Sequence, residues 1–417
     1  MARDLEWRKK ELSLDEVIAK YPDVPPIWVL KVDVQRRGVV YTKAAKDKID
    51  PEIHQVNQGT IAGFRTTQDY APESLILRDG SYLITNFDFD NTNPQRDPYV
   101  VDVVDDKIVI TDQGKVLEEV SYWEKPDFYN KKASNGEPMS KYATARPQRI
   151  DISMCHWCHF WDTPGEGCKY CPMAPNFKKR GGTEERYDVK YIAETVKEAF
   201  KQKGRFSSIM LTGGSILSGK EILDDELDGY IELLQAIGEN FKADRIPSQL
   251  ISSAFNERQL EKLYNETKLL TYTTDIEVLN KERFEWICAG KANHIGYEEW
   301  KRRLYAAVDV FGRGNVSSGV VLGVELAKPG GFTDEEDAYN HVIEQAEEII
   351  SHGITLAANV WRTSPGAIFQ NQDTPSLEYF IKTYRQFDIL SHKYDCNPYT
   401  DDYRRCGAHP GMDLLRV

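Results

Sequence analysis

The stretch MCHWCHFWDTPGEGCKYCPM, residues 154–173, holds four of the chain's seven cysteines: Cys155, Cys158, Cys168 and Cys171. Thiols this dense point to a metal, and two chemistries compete for them. Two C-x-x-C knuckles suit a structural zinc ion, which four ligands close completely. A catalytic iron–sulfur cluster instead wants three thiolates and one iron left open for a small ligand. Zinc knuckles normally sit on separate hairpin tips, whereas here only the nine residues HFWDTPGEG intervene. Cys158, Cys168 and Cys171 supply three thiolates, with Cys155 as the alternative first ligand. His156 and His159 flank the loop and would either tune a cluster through hydrogen bonds to sulfur or serve packing.

The elements around the loop are regular from residue 149 onward. Strand candidates are RIDISM (149–154), SSIML (207–211), SQLISSA (248–254), LLTYTTDI (269–276), SGVVLGV (318–324) and ITLAANV (354–360), each followed by a segment of helical period. Val189, Ile192, Val196 and Phe200 share one helical face, and DEEDAYNHVIEQAEEIISHG opens on acids and stops at Gly353. Such alternation predicts parallel strands joined by right-handed crossovers. Six repeats fall short of the eight that close a barrel. The expected class is α/β, either a partial (β/α)6 TIM-type barrel or a doubly wound sheet. Function in both sits at the C-terminal ends of the strands. The cysteine loop follows the first strand there, and TGGSILSG follows the second.

Residues 1–147 read as a smaller, β-rich N-terminal domain. WVLKVDV (28–34) alternates, SYLI (81–84) is a short apolar run, and YVVDVVDDKIVIT (99–111) reads as a hairpin with Asp105 and Asp106 at its tip. Ser13 and Glu16 fit a capping box at the start of a helix. ASNGEPMSKYATARPQ (133–148) reads as a linker to a barrel at 148–372, and 373–417 as a C-terminal helix with a tail carrying Cys396 and Cys406. The chain of 417 residues carries a net charge of −13, which argues against a surface built for nucleic-acid phosphates. NFKKRGG (176–182) is a local basic exception that reads as a solvated loop. No apolar run is long enough to span a bilayer and no charged-then-apolar leader opens the chain, so a cytoplasmic location is expected.

The cysteine loop resembles that of the radical S-adenosylmethionine (radical SAM) superfamily. The common family spacing is C-x-x-x-C-x-x-C with an aromatic before the third cysteine, and here Tyr170 precedes Cys171. The longer first gap is similar to that of the elongator acetyltransferase-like family, which favours Cys158 as first ligand. MLTGGS resembles the family's glycine-pair motif, with Gly213 and Gly214 matching and Ser215 standing where Glu is common. DIEVLNKERFEWICAGKANHIGYEEWKRRL and ANVWRTSPGAIFQNQDTPSLEYF resemble the biotin-synthase-like branch. The resemblance covers about 149–390 and not the N-terminal third.

The resemblance implies a 4Fe-4S cluster, S-adenosylmethionine, and an electron donor such as flavodoxin or ferredoxin. It implies that Gly213, Gly214 and Ser215 receive the amino end of the methionine part and that Tyr170 lies near the adenine. Glu277 would accept from the ribose or the amino group, and Arg303, with Arg302 second, would pair with the carboxylate. A small molecule inside the barrel is the expected substrate. Ser253, Asn256 and Asn359 lie at the active end for substrate or for capping. Sulfur-inserting relatives carry a second iron–sulfur cluster, for which Cys155, Cys288, Cys396 and Cys406 remain, although buried thiols are the plainer reading. Two alternatives stay open: a peptide- or RNA-modifying maturase that docks through its N-terminal domain, and a zinc-ribbon binding protein without radical chemistry.

Overall fold

The computed structural model describes residues 6–56, 71–72, 74–84, 97–179, 186–364, 366–396, 407 and 409–414. The chain opens with α1 (Leu14–Lys20), α2 (Pro26–Arg37), β1 (Val39–Tyr41) and α3 (Lys43–Asp47). The strands β2 (Ser74–Leu77), β3 (Tyr82–Ile84), β4 (Tyr99–Val104), β5 (Lys107–Asp112) and β6 (Lys115–Tyr122) follow. These six strands form one sheet in the order β1-β4-β5-β6-β2-β3. The capping box is present: the Ser13 hydroxyl accepts from the Glu16 amide while the Glu16 carboxylate accepts from the Ser13 amide at 2.8 Å. β4 and β5 form the expected hairpin, turning on Asp105 and Asp106 at φ of 49° and 65°, the left-handed pair that a two-residue hairpin needs.

WVLKVDV corrects the sequence reading, because it lies inside helix α2 and not in a strand. Pro26 at the helix start suits a first turn whose amide needs no partner. The helix is buried on nearly every side, so no amphipathic stripe marks it. Its polar residues, which mimic alternation, are buried and paired. Lys31 reaches Asp413, Asp33 accepts from Arg36 Nε at 2.8 Å, and Gln35 donates to Ile84 O at 3.2 Å. Residues 133–148 are packed and not a free linker: Ala133, Met139, Tyr142, Ala143 and Ala145 are buried, and β7 (Thr144–Ala145) joins the second sheet.

The second sheet runs β13-β12-β11-β10-β9-β8-β7. Its strands beyond β7 are β8 (Arg149–Ser153), β9 (Ser208–Thr212), β10 (Ser248–Ser252), β11 (Thr271–Thr274), β12 (Val316–Leu322) and β13 (Thr355–Val360). Each strand from β8 to β13 pairs in parallel with the next in chain order. All six strand candidates named from the sequence fall on these elements. The intervening helices are α4 (Met173–Lys179), α5 (Val189–Ala199), α6 (Asp224–Gly238), α7 (Glu257–Glu266), α8 (Lys281–Ile287), α9 (Ala289–His294), α10 (Tyr297–Phe311) and α11 (Glu335–Ser351), with α12 (Leu377–Lys393) and α13 (Pro410–Leu414) after the last strand. The result is a mixed α/β molecule whose parallel sheet is curled and open.

The larger of the hydrophobic cores runs across residue 147, beside a separate one under the N-terminal sheet that includes Leu30, Val34 and Tyr99. The larger core joins Val17, Trp28 and Val32 to Tyr384 and Phe387 of α12 and to Ile150 and Leu250 of the parallel sheet. The Trp28 ring meets Tyr384 edge-on at 5.7 Å, a favourable aromatic geometry. Near the other end of β13, Cys396 is buried; its carbonyl accepts from Thr355 Oγ1 at 2.9 Å, and burial pushes its thiol up to about 11. Cys406 and residues 180–182 of the basic stretch lie outside the described residues. Among the described residues, no helix is long and apolar enough to cross a membrane.

Candidate active site at the cysteine loop

The cysteine loop leaves the C-terminal end of β8 and is fixed by backbone hydrogen bonds from three sides. On the β9 side, Gly214 N donates to Cys155 O at 3.0 Å and His159 N to Ser215 O at 2.9 Å. The approach is close enough to require glycine: a Cβ on Gly214 would lie 1.9 Å from Trp157 O, and one on Gly213 would lie 2.9 Å from Cys155 N. On the α8–α9 side, Lys169 N donates to Ile287 O at 3.0 Å and Gly290 N to Glu166 O at 2.9 Å. From the turn after β13, Phe369 N donates to Lys169 O at 3.0 Å.

Cys158, Cys168 and Cys171 face one cleft, shared with Tyr170, Gly213, Gly214, Ser215, Ser253 and Glu277. The cleft encloses about 700 Å³ of empty space with its open mouth included. Cys155 faces elsewhere: its thiol donates to Trp157 O at 3.1 Å. Burial pushes the Cys158 thiol up to about 12, and the Cys168 sulfur adds to the shift. Burial raises Cys171 as well. Donors aim at each sulfur: the amides of Phe160 and Ser215 at Cys158, the amide of Met173 at Cys171, and the side chains of Cys288 and Tyr170 at Cys168.

This donor set fits a cluster held by three thiolates. Buried thiols gain from a cationic centre, which stabilises the thiolate that burial alone disfavours. Donors to ligand sulfur are the outer-shell contacts such centres use. A four-thiol zinc knot is not assembled, because the fourth thiol is turned to a carbonyl. Among the described residues, no group of three or more His, Cys, Asp or Glu side chains is spaced to hold a metal ion.

The floor of the cleft is charged. Glu277 follows β11 with φ of 68°, a left-handed conformation that a non-glycine residue adopts only when its surroundings impose it. β12 imposes it: Glu277 N donates to Gly319 O at 2.9 Å and Val321 N donates to Glu277 O at 2.8 Å. Asp275 lies two residues earlier and accepts from Gly319 N at 2.7 Å. Burial, then the Glu277 carboxylate, raise Asp275 to about 6. Gly319 makes room for it, since a Cβ there would lie 2.5 Å from the Asp275 carboxylate. Lys291 of α9 donates to Asp275 O at 2.6 Å and to Glu277 Oε1 at 2.8 Å. Burial, the largest influence, opposes its charge, but Glu277, Cys168, Cys288 and Asp275 together outweigh it and raise the ammonium above its ordinary value.

The structure gathers most of the residues named from the sequence. Tyr170, Gly213, Gly214, Ser215, Glu277 and the three thiols line the cleft together. Arg303 does not line it. Its guanidinium donates to Glu299 at 2.7 Å and to Ala254 O at 2.8 Å, while Arg302 is tied to Glu257 and Glu299 on the surface. Ser253 lines the cleft, and its hydroxyl bonds Ser215 Oγ at 2.8 Å and Glu226 at 2.9 Å. Asn256 caps α7. His156 packs edge-on against Tyr187 at 4.5 Å, and His159 lines a separate cleft with Arg186 and Asp228. Sequence reasoning missed Asp275, Lys291 and the buried Glu226. Asp275 and Glu277, two apart past a strand, carried a signal in their period; Lys291 carried none.

No protein-family model matches the chain. It is 23% identical over 385 residues to a protein of Chlorobaculum limnaeum named bacteriochlorophyllide c C-7(1)-hydroxylase, covering 88% of this chain and 86% of that one. Among solved structures, a radical SAM methyltransferase from Sphaerobacter thermophilus covers 96% of this chain and 97% of its own at 12% identity and a TM-score of 0.42. A methylornithine synthase covers 65% of this chain and 73% of its own at 14% identity and a TM-score of 0.41. At these scores the likeness does not by itself establish a common fold.

Proposed function

We propose that this chain is a radical SAM enzyme, with a cluster on Cys158, Cys168 and Cys171 and S-adenosylmethionine bound beside it. The observation that carries the reading is the partition of the four thiols: three share a cleft with the glycine pair and Glu277, and Cys155 turns away. The relative named as a hydroxylase supports enzyme activity and a small-molecule substrate. When bound, such a cluster supplies the electron that splits the sulfonium and yields a 5′-deoxyadenosyl radical able to take hydrogen from a substrate.

The chain's own residues would hold and aim the reactants. Cys158 accepts amide hydrogens from Phe160 and Ser215, which favours the thiolate there. The Glu277 carboxylate, paired with Lys291, suits the ammonium or ribose hydroxyls of the cofactor. The Ser215–Ser253–Glu226 chain braces the turn after β9 from behind. Phe160, Trp161 and Trp300 wall the cleft with apolar surface that limits water. The boundaries 1–147, 148–372 and 373–417, and a flavodoxin or ferredoxin as electron donor, belong to the same reading.

Anaerobic reconstitution with iron and sulfide, followed by assay of 5′-deoxyadenosine, tests it. Wild-type protein and Cys155→Ala should form the product with about four irons per chain. Cys168→Ala should form none. A wild-type protein that takes up one zinc and no iron would sink the reading.

A further inference from the structure

A fifth thiol stands beside the cysteine loop. Cys288 is fully buried at the junction of α8 and α9, where its φ of −113° and ψ of 50° break the helical run. Two backbone hydrogen bonds clamp this junction to the loop, Lys169 N to Ile287 O at 3.0 Å and Gly290 N to Glu166 O at 2.9 Å. They flank Cys168 on one segment and Cys288 on the other, so the two cysteines are held opposite each other. The approach leaves no room for a side chain on Gly290, whose Cβ would lie 2.5 Å from the Phe160 ring. A third bond, Cys288 N to Phe284 O at 2.8 Å, fixes the backbone that carries the thiol.

Cys288 does not line the cleft that Cys158, Cys168 and Cys171 share. It stands behind Cys168 and hydrogen-bonds to it, with the Cys288 thiol as donor and the Cys168 sulfur as acceptor. The three sulfurs of the cleft therefore differ in how they are served. Cys158 accepts from the amides of Phe160 and Ser215, and Cys171 from the amide of Met173. Those backbone donors persist whatever side chains the positions carry. Cys168 accepts from side chains, those of Cys288 and Tyr170, so its surroundings depend on residue type.

On the reading of the site given above, we infer that Cys288 acts through Cys168 on the bound cluster: its S–H, held against the ligand sulfur, raises the cluster's reduction potential. Reduction adds one negative charge to a centre whose ligand sulfurs are already anionic. A donor to a ligand sulfur stabilises the reduced state more than the oxidised one, so the electron is accepted at a higher potential. A thiol is a weak donor, but burial strengthens its effect and keeps bulk water from taking its place. Cys288 is thus a positioning residue of the site and not a ligand.

The test is an anaerobic redox titration of the reconstituted protein, followed by the paramagnetic signal of the reduced cluster. Iron content is measured first for each variant. Cys288→Ala and the closer-sized Cys288→Val both remove the donor. Each should make reduction roughly three- to tenfold less favourable, tenfold being about 59 mV for one electron. Cys288→Ser restores a donor and should bring the equilibrium back to within about twofold of wild type. Cys155→Ala, whose thiol faces the Trp157 carbonyl, should leave the potential where it was. The inference fails if the donor-free variants match wild type or shift upward. It fails equally if Cys288→Ser shifts as far as they do, since bulk and not the thiol hydrogen would then be the cause. If the donor-free variants cannot hold iron, Cys288 serves ligation or assembly and the inference falls. Wild-type protein that takes up no iron would defeat the wider reading of the site, a result distinct from all of these.

Discussion

Two buried charge clusters in this molecule obey opposite logic. Around α2, Asp33 accepts from Arg36 and from the Tyr99 hydroxyl, Arg37 bonds Asp112 at 2.9 Å and lies 3.9 Å over the Tyr99 ring, and Arg8 reaches Asp97 and Asp112. Burial pushes Asp112 up, but the hydrogen bonds and charges of Arg8 and Arg37 outweigh it and bring the group down to about 2. Asp33 is likewise lowered despite its burial. In the cysteine cleft, by contrast, Asp275 is raised to about 6 and Cys158 to about 12, each mainly by burial. In the first cluster the paired carboxylates Asp33 and Asp112 favour their charged forms. In the second, Asp275 and Cys158 are pushed toward their neutral forms, while Lys291 is pushed toward its charged one. Buried charge alone marks neither; the direction of the shift tells them apart.

The comparison breaks most easily at its strongest point. Asp33→Ala should cost about 3–5 kcal/mol in denaturant melts of the metal-free protein, because it leaves Arg36 and Arg37 buried beside a vacated partner. Asp275→Asn should leave stability unchanged or raise it at neutral pH. A loss below about 1 kcal/mol for Asp33→Ala would mean that the first cluster is not self-sufficient.

Acidity separates the clusters next. Asp112 has a depressed folded value, so its contribution is present above the unfolded value and lost as pH falls through about 2. Asp275 has an elevated folded value, so its contribution is present below the unfolded value and lost as pH rises through about 6, an effect on the order of 2–3 kcal/mol. Hydrogen exchange on metal-free protein should therefore show α2 loosening toward acid and β11–β12 loosening from about pH 4 to 6. Asp275→Asn should abolish the second slope; a slope that survives would assign it to another group.

Gly319→Ala should cost about 1–3 kcal/mol, since the new methyl displaces Asp275. Ser13→Ala, at the edge of the first cluster but outside its ion pairs, should cost only about 1 kcal/mol through its lost cap, and a thermal melt would register the difference in scale.

The parallel sheet was legible because each strand is a short apolar run between turn signals, as in SSIML and ITLAANV, and its helices carry clean caps such as Asp188 and Asp334. α2 was not legible, because complete burial erases the helical period and its salt bridges imitate polar alternation. The thiols, the glycine pair and Glu277 were visible as local spacing. Lys291 was not, since it stands 14 residues beyond Glu277 with only tertiary folding to join them. Arg303 illustrates the converse: its position in the chain fitted, but Glu299, one turn away on the same helix, holds it.

The shared core of the first helices and α12 bears on the protein's history. A segment whose apolar face is completed by the far end of the chain cannot be cut out and joined to another barrel without exposing both halves. Trp28 and Tyr384 would have to be inherited as a unit. Comparative genomics should then find the two ends of this chain gained and lost together, with recombination breakpoints falling elsewhere.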